Sequence, residues 1–317
     1  MALPKLAITI GDPAGIGPEI TSKALLDKSI YEICKPVVIG DVRLITNHKK
    51  LLQEFHCQFI DIPCVDIEKI VQGRFSRITG KCSYDYILKS VELINESVCD
   101  GVVTAPVSKE AMSLAGVKYP GQTELFADLS GTKKYGMLMA AQQLRAVMVT
   151  RHMSLTEVSK NLSIDIIKDT VILTQEFISK NFGISNPKII VCSLNPHGGE
   201  GGMFGKEERM FIVPAVKMLQ DTGFDISGPF GADSAWLKMI EKKLDFMVAM
   251  YHDQVMIGLK CLKPEKIVNI TMGLPFVRTS PGHGTGFDIA GKNTADPTSM
   301  KEAIKLAAKL TAKSRKN

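Results

Sequence analysis

The chain has 317 residues, 45% hydrophobic and 23% charged, the balance of an ordinary globular protein with enough core for two domains. Thirty-nine basic against 33 acidic residues leave a net charge of +6, spread out except for a tail at Lys309, Lys313, Arg315 and Lys316. No basic stripe interleaved with aromatics is present, which argues against nucleic acid, while a mild surplus of cations suits a small anionic substrate. Seven cysteines without a C-x-x-C pair predict free thiols in a reducing compartment. The absence of a signal or membrane-spanning run makes a cytoplasmic enzyme the expectation.

Residues 6–10 read as an opening strand. The glycine-rich turn Gly11-Asp12-Pro13-Ala14-Gly15-Ile16-Gly17-Pro18-Glu19 leads into a helix running to about residue 26, with Pro18 at its start. The turn lacks the Gly-Lys-Ser/Thr of a Walker loop, and Pro13 and Pro18 break the spacing of a Rossmann fingerprint. Strand 37–40 and helix 42–55 repeat the pattern, and residues 58–80 read as irregular or edge-strand structure. A helix over 84–96, a buried strand over 101–106 and a helix over 108–115 continue an alternation that predicts an α/β domain with a largely parallel sheet. The polar turn 119–124 opens a further helix.

Residues 137–141 and 145–149 pair as adjacent strands, placing His152 at a strand end, and Ser154 with Glu157 fits a capping box. A long helix over 164–182 precedes the strand 188–194 and then Asn195-Pro196-His197-Gly198-Gly199-Glu200-Gly201-Gly202. Glycine this dense costs stability, so the loop implies a ligand or a close backbone approach. A helix over 207–219 follows, then residues 228–233, a loop ending in Asp233. The apolar strand 244–249 delivers Met250-Tyr251-His252-Asp253-Gln254 to a loop at its carboxyl end, where open α/β sheets bind ligands. His152, His197 and His252 thus share one predicted setting. Three imidazoles on one sheet edge could converge on a cation, although their spacings carry no local ligand signature. The competing reading of the 250–254 stretch is a polar loop whose imidazole caps a backbone group; His48 and His56 receive no role.

The motifs at 11–19, Gly121-Gln122-Thr123-Glu124, 195–202, Tyr251-His252-Asp253-Gln254 and 268–280 resemble the 4-hydroxythreonine-4-phosphate dehydrogenase family, in its order and over essentially the whole chain. The resemblance implies oxidation by NAD of the 3-hydroxyl of a 4-phosphorylated four-carbon hydroxy acid, followed by loss of carbon dioxide. It implies a homodimer with each active site in the cleft between two α/β domains near the subunit interface. His152, His197 and His252 would hold one divalent metal, with contributions from both subunits. Zinc suits imidazoles best; magnesium, manganese or cobalt could serve. Gln122, Thr123, Lys260, Asn269 and Arg278 would contact substrate, and Asp233 and Asp253 would lie close to the reacting hydroxyl, with Lys260 in the catalytic set. Gln122 stands where the biosynthetic enzymes often carry histidine, which keeps open a sister branch acting on D-threonate or D-erythronate 4-phosphate.

The stretch 281–297 resembles the adenosine-binding loop of isocitrate and isopropylmalate dehydrogenases. That likeness implies His283 beside adenine and Asp288 at the ribose, with Gly284, Thr285 and Asp296 in the same cofactor set. A carboxylate at the ribose repels a 2′-phosphate and favours NAD over NADP. The expected architecture is two α/β domains with a cleft between them, isocitrate/isopropylmalate dehydrogenase-like. Residues 1–125 with 297–317 would form the first, and 126–296 the second, carrying metal, cofactor and dimer contacts. A non-catalytic nucleotide-binding protein on the same scaffold is the alternative of another class.

Overall fold

Short runs with no polar face, such as Leu6-Ala7-Ile8 and Met247-Val248-Ala249, become strands buried on both faces, as sheets covered by helices require. The computed structural model describes residues 2–314. In chain order the first elements are β1 (Lys5–Thr9), α1 (Gly17–Leu25), α2 (Ser29–Ile33), β2 (Lys35–Gly40), α3 (His48–Phe55), β3 (Gln58–Asp61), α4 (Arg77–Asn95), β4 (Gly101–Thr104), α5 (Lys109–Leu114) and α6 (Gln122–Leu129). Next come β5 (Gly136–Ala141), β6 (Leu144–Met148), α7 (Leu155–Val158), α8 (Ile164–Phe182), β7 (Ile189–Cys192), α9 (Val213–Asp221), β8 (Ile226–Phe230), α10 (Ala232–Glu241), β9 (Phe246–Ala249) and α11 (His252–Leu262). The chain closes with β10 (Ile267–Met272), β11 (Val277–Pro281) and α12 (Thr298–Ser314).

Two units result, one formed by the chain up to Lys133 and again from Val268, the other by Lys134–Ile267. In the first the strand order is β3-β2-β1-β4-β11-β10, parallel throughout except for β10 against β11. Helix α12 packs on β11 and β4 through an apolar stripe that includes Met300, Ala303, Ile304 and Ala307. In the second the order is β5-β6-β9-β7-β8, parallel but for the β5–β6 hairpin. Its core is rich in methionine (Met137, Met139, Met148, Met239, Met247, Met256) around Trp236, flexible side chains that fill irregular gaps.

Several expectations meet a different outcome. Residues 268–296, assigned from sequence to the second domain, belong with the first unit, and the candidate cofactor loop goes with them. The reason is pairing: β11 lies parallel to β4, Arg278 opposite Val102, and carries β10 with it. Helix α4 begins at Arg77, seven residues before the expected start, because Ser76 and Thr79 form a reciprocal capping box inside the stretch read as irregular. The box expected at Ser154 is absent; its hydroxyl pairs with that of Thr156. Asp233 and His252 stand in the first turns of α10 and α11, not in loops.

All seven cysteines are free and only Cys261 is exposed. Burial pushes the Cys192 thiol up to about 12, which leaves it inert. Arg315 and Lys316 of the basic tail lie outside the described residues, among which no helix is long and apolar enough to cross a membrane.

Candidate active site

Strands β6 and β9 run parallel in register from Ala146↔Met247 to Met148↔Ala249. The pairing continues beyond them: Val149 N–H donates to Ala249 O (2.8 Å), and Thr150 donates through its N–H (3.0 Å) and its hydroxyl (2.7 Å) to Met250 O. The two segments therefore leave the sheet side by side, and the rings of His152 and His252 come to 6.1 Å between centroids, tilted by 41°. His252 Nδ1 lies 2.7 Å from Asp253 Oδ1. With Nδ1–H donating to that carboxylate, Nε2 keeps a lone pair, the tautomer a metal takes. Gln254 ties the same corner together, accepting from Met250 N–H (2.8 Å) and donating to Ser193 O at the end of β7 (2.7 Å).

From β7 departs the loop that carries His197. Residues 197–201 all adopt left-handed backbone, with φ of 53°, 67°, 80°, 44° and 66°. For His197 and Glu200 this is unfavourable by about 1–2 kcal/mol each, so something must hold the loop. Buried Glu208 accepts from the N–H groups of Leu194 (2.9 Å) and Asn195 (2.8 Å), and the Asn195 amide donates to Glu207 (2.8 Å) and Glu208 (3.0 Å). Gly199 sits where a Cβ would lie 2.7 Å from Glu208 Oε2. The Ser159 hydroxyl first, then the Asn195 amide, hold the Glu207 carboxyl below its usual range. His197 itself is exposed, a strained residue kept at the surface by a buried network. Among the described residues no group of three His, Cys, Asp or Glu gathers for one ion, so within a single chain His152 and His252 form a pair. Asp233, Asp253 and Lys260 are exposed, the last near the end of α11.

In the first unit, Arg278 is 1% exposed yet bonds no carboxylate. Its Nη1 donates to Thr271 Oγ1 (3.1 Å), its Nη2 to Thr104 Oγ1 (2.5 Å), and the Phe126 ring lies 5.3 Å from Cζ. Burial pulls its pKa down to about 9, with Glu124 acting in the opposite direction. Its Nε has no partner. Gln122 opens α6 and donates through Nε2 to Ala105 O (3.3 Å), while its Oε1 is buried and unpartnered; so is Oδ1 of Asn269. Thr123 beside it is buried. A buried polar atom without a partner is unfavourable by about 1–3 kcal/mol, so three of the five expected substrate contacts offer groups that a ligand would satisfy. One offered group is a cationic donor and two are neutral acceptors, which suits an anion that also carries hydroxyl or ammonium hydrogens.

The glycine-rich turn after β1 packs against Pro106, whose O accepts from Asp12 N–H (2.9 Å), against Thr79 of α4, whose hydroxyl donates to Asp12 Oδ2 (3.4 Å), and against the loop 281–297. Ile16 N–H donates to Thr285 O (2.9 Å), Lys23 Nζ to Asn293 O (2.9 Å) and Ala295 O (3.0 Å), and Ala295 N–H to Glu19 Oε1 (2.8 Å). A Cβ on Gly15 would sit 2.8 Å from Thr285 O. Between turn and loop is a cavity of about 200 Å³ bordered by Pro13, Gly15, Gln72, Gly291 and Asn293. His283, Gly284 and Asp288 are exposed on the loop. Asp296 is engaged elsewhere: it accepts from Thr298 N–H (2.9 Å) and hydroxyl (2.6 Å) at the start of α12, and that hydroxyl is the main cause of its lowered pKa.

The family model described as pyridoxal phosphate biosynthetic protein PdxA matches residues 32–307. The chain belongs to the PdxA family. A relative from Desulforapulum autotrophicum named 4-hydroxythreonine-4-phosphate dehydrogenase is 41% identical, over 96% of this chain and 95% of its own length. One from Oceanobacillus iheyensis, named as a D-threonate 4-phosphate dehydrogenase, is 38% identical over 97% and 98%. The crystal structure of a Klebsiella pneumoniae 4-hydroxythreonine-4-phosphate dehydrogenase superposes with a TM-score of 0.83 at 34% identity, covering 97% of this chain and 99% of that one. This is a dehydrogenase of the PdxA family, and identities of 41% and 38% do not separate the two substrates.

Four residues of this PdxA-family chain matter to the site without having been singled out from sequence: Thr104, Thr271, Glu208 and Gln254. Gln254 sits inside the Tyr-His-Asp-Gln motif, so its signal was available. Glu208 falls in the stretch expected as a helix over 207–219, and its burial follows from accepting the Leu194 and Asn195 N–H groups beneath the left-handed turn.

Proposed function

We propose that the protein is a metal-dependent NAD oxidoreductase that oxidises the 3-hydroxyl of 4-hydroxythreonine 4-phosphate, with decarboxylation of the keto acid. The observation that carries this reading is the His152–His252 pair at the carboxyl edge of β6 and β9, with Asp253 setting the His252 tautomer. Two imidazoles and a backing carboxylate fit a divalent ion. His197, exposed on its strained loop, would complete the set from a second copy of the chain in a homodimer. When bound, the ion supplies Lewis acidity that favours ionisation of the hydroxyl and polarises the ketone, and NAD supplies the hydride acceptor.

The chain's own groups do the rest. Arg278 grips an anionic group of the substrate, with Thr123 and Lys260 as further contacts, and Gln122 and Asn269 accept from its hydroxyl or ammonium hydrogens. As hydride leaves C3, the hydroxyl proton passes to a carboxylate, Asp253 or Asp233. When carbon dioxide then departs, the carbon it leaves is protonated, and Lys260 is the candidate donor. The cavity beside Gly15 and the exposed His283 and Asp288 fit the adenosine half of NAD, with Gly284 and Thr285 on the same loop as further contacts.

NADH formation with 4-hydroxythreonine 4-phosphate, D-threonate 4-phosphate and D-erythronate 4-phosphate, each with divalent metal, tests the reading. The highest kcat/KM is expected with the first. A preference for threonate or erythronate phosphate establishes instead the second reading, which Gln122 keeps open and which matches the name of the 38% identical relative. No turnover of any of the three overturns both. The loop contact makes a separate prediction. Forcing a Cβ against Thr285 O carries a penalty of about 1–3 kcal/mol, so Gly15→Ala should raise the KM for NAD severalfold while the KM for the phosphorylated substrate holds. Steady-state kinetics with each substrate varied in turn checks it.

A further inference from the structure

A buried guanidinium is ordinarily met by a carboxylate, often in a two-pronged pair, because a desolvated charge without a counter-charge is unfavourable. Arg278 departs from that pattern. Its two protein acceptors are the neutral hydroxyls of Thr104 and Thr271, themselves 0% and 1% exposed. The strands dictate this arrangement. Thr271 on β10 stands opposite Arg278 on β11, and Thr104 lies on β4, the other neighbour of β11. Each hydroxyl takes a different terminal nitrogen, so the planar group is gripped from both flanks, with the Phe126 ring 5.3 Å from Cζ. Of the five N–H donors of a guanidinium, two are used, and the others, Nε–H among them, have no protein acceptor.

We propose that Thr104 and Thr271 are positioning residues that hold the Arg278 guanidinium oriented, with no carboxylate bonded to it, for the anionic group of the substrate. A hydroxyl can accept from the cation without cancelling its charge, whereas a carboxylate in either place would be a permanent internal substitute for the substrate. Freed of water, and with Glu124 acting on it through space rather than by a hydrogen bond, the cation attracts an incoming anion more strongly than a surface arginine does. The inference rests on reading Arg278 as an anion contact and adds what makes that contact selective.

The test compares five variants by steady-state kinetics on the phosphorylated substrate and by thermal unfolding: Arg278→Met, Thr104→Val, Thr104→Ser, Thr271→Asn and Thr271→Asp. Losing one bond to a charged group should raise KM in Thr104→Val by roughly tenfold to a hundredfold, with kcat changing far less, and Thr104→Ser should recover most of the loss. Thr271→Asp should raise KM as much as Arg278→Met does, and well beyond Thr271→Asn, while melting no lower than Thr271→Asn, because the new carboxylate pairs with the arginine. If Arg278→Met leaves KM unchanged, the anion-contact reading fails and takes this proposal with it. If Arg278→Met raises KM but Thr104→Val does not, or Thr271→Asp binds no worse than Thr271→Asn, the anion contact stands and the positioning role is overturned.

Discussion

His252→Ala is expected to lower kcat by roughly 10²–10⁴, the several kcal/mol of charge stabilisation a metal supplies taken at 1.36 kcal/mol per decade. The fold should survive, since His252 is half-exposed at the first position of α11 and the corner is held by other groups: Thr150 to Met250, and Gln254 to both Met250 and Ser193. Metal content of the purified variant should fall with the rate. Asp253→Asn separates two roles for the neighbouring carboxylate. If its main task is to orient the imidazole, metal affinity drops by about 10–100-fold and excess metal restores turnover. If it takes the substrate proton, excess metal restores occupancy but not rate. A His252→Ala enzyme that retains both metal and activity removes the metal site from the mechanism.

Asp288→Ala should act on the cofactor alone. Hydrogen bonds to a charged group contribute about 1.5–3 kcal/mol each, so losing those to the ribose hydroxyls raises the KM for NAD by roughly tenfold to a hundredfold. The same substitution removes the repulsion of a 2′-phosphate, so activity with NADP should rise towards that with NAD. Stability should hardly change, because Asp288 is exposed and the loop is fastened by other contacts, Ile16 to Thr285 and Lys23 to Asn293 and Ala295. An NAD/NADP preference equal to that of the parent enzyme would sink the ribose assignment. Asp296, expected in the same cofactor set, is bonded to Thr298 at the head of α12, and that engagement makes Asp288 the better probe.

Much of the molecule is written in short-range pattern. The apolar runs at 6–9, 102–103, 189–192 and 246–249 could hardly be anything but buried strands, and the long helix α8 begins and ends where its periodicity says. Placing His152, His197 and His252 after strand ends follows from the same local signals, as does a glycine turn that needs close backbone approach. What that turn approaches, Ala105 and Pro106 at Gly11 and the loop around Thr285 at Gly15, the latter 270 residues away, is invisible to local pattern. Only tertiary pairing decides that β11 lies beside β4, which moves residues 268–296 and the cofactor loop into the first unit and gives Arg278 its two hydroxyl partners. Likewise His152 and His252 meet because Thr150 bonds Met250 a hundred residues on. Periodicity reports which face of an element is buried, a property of a few neighbouring residues; which elements are neighbours, and so which polar groups are left without a partner, depends on burial and register summed over the whole folded chain.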